Sequence, residues 1–281
     1  MRVRQWQAGR FVLDLAQPLI MGIVNCTPDS FSDGGQFAST AAALRHCEQL
    51  VREGAAILDI GAESSRPGAA PLPLADELAR LAPIVQGALR LGLPISIDTY
   101  KPAVMQAMLD LGADIINDIW ALRQDGAAQV LAAYPQAGAI LMHMHGQPQD
   151  MQTSPMQGQA LHAVQTFFAE RLQALAALRE GALGLPRLCL DPGIGFGKTP
   201  AQNLELTQQL PALQSWGLPL AMGWSRKSTL GQITGLPVEQ RLAPSIAAAL
   251  FSAEQGAQIL RVHDVGQTRA ALQVWQALRH A

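Results

Sequence analysis

The sequence predicts an α/β fold, a single (β/α)8 TIM barrel spanning residues 1–281 as one domain, with a short N-terminal β-hairpin ahead of the first barrel strand. Three observations lead there. A helical pattern, a glycine and an apolar run recur as one phrase at Gly54-Ala55-Ala56-Ile57-Leu58-Asp59, Gly112-Ala113-Asp114-Ile115-Ile116-Asn117 and Gly256-Ala257-Gln258-Ile259-Leu260-Arg261. Eight strand-then-helix units can be read in a chain of 281 residues, close to the ~250 usual for this architecture. Polar side chains collect where the apolar runs end. A doubly wound open sheet is the structural runner-up.

In chain order, residues 11–15 read as a small strand of the hairpin, and barrel strands follow at 19–26, 93–99, 138–144, 187–191 and 218–223, interleaved with the three repeated phrases. The glycine of each phrase can take the left-handed conformation that closes a helix, and an apolar run without polar alternation suits a strand covered on both faces. Helices are predicted over 40–53, 74–91, 102–111, 158–179, 203–214, 238–255 and 267–279, most with apolar residues at helical spacing. The proline-rich stretch 67–73 lies between a strand and a helix and reads as a loop, not a domain boundary.

Composition narrows the function. Lys plus Arg number 20 against 22 Asp plus Glu, and a formal charge of −2 gives no electrostatic reason to expect nucleic acid or an anionic membrane as partner. Small-molecule substrates fit better. Cys26, Cys47 and Cys189 are odd in number with no CxxC spacing, so neither a disulfide framework nor a zinc ribbon is indicated, and a reducing cytoplasm is the simplest setting. Asp14 and Pro18 interrupt the first apolar stretch, so no export or anchoring signal is expected.

Active sites of such barrels lie at the C-terminal ends of the strands. Asn25, Asp59 with Glu63, Asp98, Asn117 with Asp118, His143 with His145, and Asp191 end the first six; Ser225, Arg226 and Lys227 follow the seventh, and Arg261, His263 and Asp264 end the eighth. Any one of these could be a chain turning polar as it meets water, but the set as a whole points to a site. Basic groups after strands seven and eight suggest a phosphorylated ligand, and the carboxylates and amides elsewhere suggest a donor-rich head. The loop 191–199 imitates a P-loop and a dinucleotide fingerprint but has the glycine spacing of neither, and 22–35 lacks the alternating acids and closing Glu of a calcium loop.

The wording of the motifs adds to their chemistry. Residues 25–35, Glu63-Ser64-Ser65-Arg66-Pro67-Gly68, Asp98-Thr99, Asn117-Asp118, Met142-His143-Met144, 191–198, Ser225-Arg226-Lys227-Ser228 and Arg261-Val262-His263-Asp264 together resemble the dihydropteroate synthases, in order and over nearly the whole chain. The resemblance implies a transferase of folate synthesis that joins a pterin diphosphate to 4-aminobenzoate, acting as a homodimer in the cytoplasm. By residue, it implies that Asp98, Asn117, Asp191 and Lys227 hold the pterin, whose edge of N–H donors and ring acceptors two carboxylates, an amide and an ammonium can satisfy. The alternative for Asp98 and Asp191 is helix capping. Ser65, Arg66, Arg261 and His263 match residues near the diphosphate, with guanidinium and imidazolium suited to phosphate oxygens. Arg66, Lys227, Arg261 and His263 are thereby the catalytic set. Asn25 matches a metal position, with Mg2+ bridging protein and diphosphate; one neutral amide leaves most ligands to phosphate and water. The 4-aminobenzoate would lie between Phe31, Pro67, Phe196, Lys227 and Ser228, with loops 25–39 and 63–74 closing over it.

The chain departs from the family pattern at Ser65, where threonine is common, and at Tyr100, Trp120 and His145, with Trp120 expected to crowd the mouth on the phosphate side. Two rivals share the pocket: a non-catalytic pterin-binding paralogue, against which Asn25, Arg66, Lys227, Arg261 and His263 argue, and a methyltetrahydrofolate-dependent methyltransferase, which would need a corrinoid partner.

Overall fold

A computed structural model describes residues 3–26, 35–63, 70–147, 151, 153–177 and 185–279. Strands β1 (Gln5–Ala8) and β2 (Phe11–Asp14) pair antiparallel through a turn in which Gly9 has φ 64°. Only the second arm was legible as a strand, because Gln-Trp-Gln-Ala offers a single large apolar side chain.

The chain then alternates strand and helix: β3 (Leu19–Asn25), α1 (Gly35–Glu53), β4 (Ile57–Gly61), α2 (Leu74–Ala88), β5 (Ile95–Asp98), α3 (Pro102–Leu111), β6 (Ile115–Asp118), α4 (Ala127–Ala133) and β7 (Gly138–Met142). There follow α5 (Ala160–Ala176), β8 (Leu188–Asp191), α6 (Pro200–Gln208), β9 (Ala221–Met222), α7 (Ser228–Thr234), α8 (Leu242–Glu254), β10 (Ile259–Val262) and α9 (Val265–Arg279). Strands β3 to β10 form one parallel sheet in the order β8-β7-β6-β5-β4-β3-β10-β9. A parallel bridge between Leu190 and Leu220, with Leu190 N–H donating to Pro219 O at 2.9 Å, joins its two edges and closes the barrel.

The repeated glycine phrase works the same way each time. Gly54, Gly112 and Gly256 have φ of 101°, 107° and 100°. The amide after each reaches back five residues, Ala55 to Leu50 O, Ala113 to Met108 O and Ala257 to Ser252 O, so each helix ends in a Schellman-type cap. The next residue enters the sheet: Ala56 donates to Ile20 O, Asp114 to Ile95 O and Gln258 to Leu220 O.

Strand parity then sorts the side chains. Ile20, Val24, Leu58, Ile60, Ile97, Ile116, Ala139, Leu141, Leu190 and Leu260 belong to the core between sheet and helices. Residues of the other parity line the barrel: Met21, Ile57, Ile115, Ile140, Cys189, Ala221 and Ile259 form an apolar layer at its N-terminal end, into which the hairpin inserts Trp6. Trp6 is fully buried and its Nε1–H donates to Arg187 O at 3.0 Å. One step toward the C-terminal end, the same parity carries Asp59, Ser96, Asn117, Met142, Asp191 and Arg261.

Sequence boundaries and structure differ in places. The helix expected over 203–214 is α6 followed by a 3-10 segment from Leu210 to Trp216, since Pro211 cannot continue the α-helical ladder. Helices α4 and α7, seven residues each, escaped notice because Ala-rich and Ser/Thr/Gly-rich turns carry no 3.6-residue apolar stripe. No helix among the described residues is long and apolar enough to cross a membrane.

Candidate active site

At the C-terminal mouth Asp98, Asn117, Ile119, Met142, Asp191, Gly193, Ile194, Phe196, Gly223, Lys227 and Arg261 line one cavity. Strands β5, β6, β7, β8 and β10 and the turns after β6, β8 and β9 all contribute, so barrel closure gathers groups far apart in the chain.

The centre of the cavity floor is a guanidinium between two carboxylates. Arg261 Nε donates to Asp59 Oδ2 and Nη2 to Asp98 Oδ2, both at 2.6 Å. Asp59 is fully buried and also accepts from Ser96 Oγ at 2.6 Å and Asn117 Nδ2 at 3.1 Å. Two carboxylates, Asp59 fully buried and Asp98 partly so, sharing one cation cannot both be fully compensated. Burial, and the nearness of Asp59, push the Asp98 carboxyl up to about 7 although Arg261 and Lys227 pull the other way. Burial acts to lower the Arg261 pKa, but Asp59 and Asp98 outweigh it and hold the guanidinium above its ordinary range.

Asp98 and Asp191 are not helix caps. The residue capping α3 is Lys101, and α6 starts on a capping box of Thr199 with Gln202. Asp191 accepts instead from Gly193 N at 2.7 Å, which starts the turn after β8, and burial raises its pKa. Lys227 places Nζ 4.1 Å from the Phe196 ring centroid, a cation–π contact, and burial lowers it to about 8 against the attraction of Asp191 and Asp98. It is aimed by its neighbour: Arg226 adopts φ 58°, costly for a side-chain-bearing residue, and is secured by Arg226 N–H to Ser245 Oγ at 2.9 Å and by an ion pair with Asp264 at 2.6 Å. Phe196 is 8% exposed, so it both belongs to a small apolar cluster with Ile119, Met142, Met144 and Met151 and faces the cavity.

His263 lies two residues beyond Arg261, with Nδ1 2.9 Å from Ser225 Oγ. Burial, then Arg261, Arg226 and Lys227, lower it to about 3, so it is a neutral imidazole and not the imidazolium expected from sequence. Asn25 ends β3 opposite Gly61, and Gly61 in turn lies against Asp98, which puts Asn25 on the same rim. Ser228 is exposed in the first turn of α7 beside Lys227 and does not line the cavity. Phe31, Ser65, Arg66 and Pro67 lie outside the described residues.

The departures settle into the mouth wall. Tyr100 OH donates to Glu63 Oε1 at 3.0 Å and its ring is 6.5 Å from that of Trp120, whose other neighbour is the Arg123 guanidinium at 5.0 Å. Trp120 therefore packs beside the cavity and is not among its lining residues. His145 is exposed. Sequence reasoning named Asp59 and Ser225 as strand-end groups without giving them a role, and missed Ser96, Ile119, Met142 and Ile194; the parity of residues along each strand was the signal that would have found Ser96 and Met142.

For a divalent metal the protein offers little of its own. No group of three His, Cys, Asp or Glu side chains that could hold an ion occurs among the described residues. The Asn25 amide oxygen is a hard donor of the kind Mg2+ accepts, so the fit is to an ion carried mainly by phosphate oxygens. An open cleft on the flank, lined by Arg123, Gln124, Asp125 and Arg171, is a poor rival: Arg171 spends Nε and Nη2 on Ala121 O and Leu122 O, and Arg123 Nε on Trp120 O.

Comparison with known proteins bears on the same geometry. The family described as pterin binding enzyme matches residues 21–263. Dihydropteroate synthase of Neisseria meningitidis serogroup B is 47% identical over 280 residues, covering 97% of each chain. Dihydropteroate synthase of Xanthomonas albilineans, solved with 4-aminobenzoic acid, superposes with a TM-score of 0.92 at 43% identity over 99% of both chains. That of Burkholderia cenocepacia, complexed with 7,8-dihydropteroate, gives 0.89 at 45% identity over 100% of this chain and 98% of the other.

Proposed function

The chain belongs to the dihydropteroate synthase family of pterin-binding enzymes, and on that premise we infer that it displaces diphosphate from (7,8-dihydropterin-6-yl)methyl diphosphate with the amine of 4-aminobenzoate. The observation that carries this reading is the convergence of Asp98, Asn117, Asp191, Lys227 and Arg261 on one cavity at the barrel mouth.

In the reaction the arylamine nitrogen bonds to the pterin methylene carbon, the carbon–oxygen bond breaks with its electrons leaving on diphosphate, and the nitrogen sheds a proton to water. The amine is already neutral near pH 7, so no strong base is required. The carboxylates of Asp98 and Asp191 accept pterin N–H groups, while Asn117 and Lys227 donate to ring acceptors. Arg261, pre-oriented by Asp59 and Asp98, lies against the pterin with its positive charge toward the departing oxygens. The neutral His263 donates or accepts a hydrogen bond there, with Ser225 fixing the ring. Arg66 and Ser65 supply further donors, and Phe31, Pro67, Phe196 and Lys227 enclose 4-aminobenzoate, with the exposed Ser228 at the outer edge of that subsite. Asn25 would hold Mg2+ together with the substrate, and the ion when bound would supply charge neutralisation of the leaving group.

Residues 1–281 act as one pterin-binding domain, located in the cytoplasm. Exposed Ile233, Val238 and Phe251 around α7 and α8 support a homodimer. Diphosphate release from the pterin substrate, Mg2+ and purified protein on addition of 4-aminobenzoate is the test. Pterin binding without release would leave a pterin-binding protein and sink the synthase reading. Arg66→Ala should lower kcat with pterin affinity little changed, and full turnover in that variant would remove Arg66 from the mechanism.

A further inference from the structure

Lys198 is buried, 3% exposed, and donates to no side chain among the described residues. Its ammonium meets three backbone carbonyls, Gly193 O at 2.8 Å, Phe196 O at 3.1 Å and His143 O at 3.2 Å. An ammonium has three protons, so the set is complete. Two of the acceptors belong to the loop between β8 and α6; the third belongs to the chain leaving β7.

That loop needs an external hold. Gly193, Gly195 and Gly197 take φ of 71°, 81° and 67°, and glycines lose the most conformational freedom when they are ordered. The loop is also seated closely, since a Cβ on Gly193 would fall 1.9 Å from His143 O and one on Gly197 2.1 Å from His145 O. Phe196 is mounted between these glycines, under the Lys227 ammonium.

We propose that Lys198 is a positioning residue for the reaction: by gathering three carbonyls around one ammonium it sets the Phe196 ring against Lys227 and so shapes the subsite for the aromatic amine. This rests on the assignment of Phe196 to the 4-aminobenzoate subsite made above. Methionine at 198 keeps the length of the side chain and removes all three donors, whereas glutamine keeps two. Asn203, which accepts from Gly195 N at 2.9 Å and donates to Thr229 Oγ1 at 2.9 Å, holds the far side of the loop and remains in both variants.

Steady-state kinetics of the full chain with K198M, K198Q, F196L and the K198M/F196L double variant test it. K198M should raise KM for 4-aminobenzoate roughly tenfold with kcat reduced less than about threefold, K198Q should fall between, and K198M should add nothing once F196L is present. If F196L raises that KM and K198M does not, the positioning role is overturned and the subsite reading stands. An F196L variant with unchanged KM removes the subsite reading and the proposal with it. Additive losses in the double variant, or loss of native near-ultraviolet circular dichroism in both K198M and K198Q, would make Lys198 a residue of the fold only and overturn the proposal.

Discussion

Arg261 shows how a side chain acquires its role from company that sequence does not reveal. Asp59 and Asp98 stand 202 and 163 residues before it, and their pairing decides its orientation, while burial and the nearness of Asp59 raise the pKa of Asp98 against the pull of Arg261. Asp98→Asn puts an amide N–H2 where an acceptor is needed, and calorimetry should show pterin binding weakened roughly 10- to 100-fold, about 1.4–2.8 kcal/mol. The profile of kcat/KM against pH should be a bell. Asp98, raised to about 7, is protonated below that pH and gains its accepting charge as pH climbs through it; Lys227, lowered to about 8, loses its charge above. Lys198, lowered to about 7 by burial, titrates in the same range, so the decisive comparison is with Asp98→Asn. An acid limb that persists unaltered in that variant would take the limb away from Asp98. At this scale the identities of Asp98, Asn117, Asp191, Lys227 and Arg261 were legible as polar strand ends, but the neutral state of His263 was not, because burial acts on it first and Arg226 and Lys227 add to its neighbour Arg261 only in the folded barrel.

Among the elements, the legible feature was the glycine that closes a helix. Gly112 takes φ 107°, and a Cβ there would meet nothing closer than Leu89 Cδ1 at 3.7 Å. Gly112→Ala therefore isolates the backbone cost, about 1–2 kcal/mol, readable as a lower midpoint in urea unfolding. Gly256→Ala should cost more, since its Cβ would also fall 1.9 Å from Gln214 Nε2. Equal effects in the two variants would contradict this account. Strand β9 shows the opposite case: its ladder to β10 has two residue pairs, and Pro219, just before it, has no N–H to donate, so the run 218–223 reads longer in sequence than it is in the sheet. Helix α7 has no apolar stripe to announce it, yet it positions Lys227 by beginning immediately after it.

On the scale of the whole molecule, the barrel is filled from one end and functional at the other. The hairpin seals the N-terminal end with Trp6, and Asp114 secures the turn by accepting from Arg10 N at 3.1 Å and from its guanidinium at 3.0 Å. Trp6→Ala should destabilise the chain by about 3–5 kcal/mol in urea unfolding, with kcat/KM of the folded fraction kept within about twofold because the mouth lies at the far end of the strands. A large loss of kcat/KM in still-folded protein would show that the two ends are coupled. The eight strand runs, the helix-closing glycines and the polar strand ends were determined by the sequence itself, since each depends on residues within a few positions of one another. Which strand parity faces the cavity, the sharing of one guanidinium by Asp59 and Asp98, the neutrality of His263 and the hold of Lys198 on the β8–α6 loop were decided only by tertiary structure. Charge, burial and hydrogen-bond partners depend on distance in space, and the pairing of β10 with β3 and of β3 with β4 is what converts a separation of 202 residues into a contact of 2.6 Å.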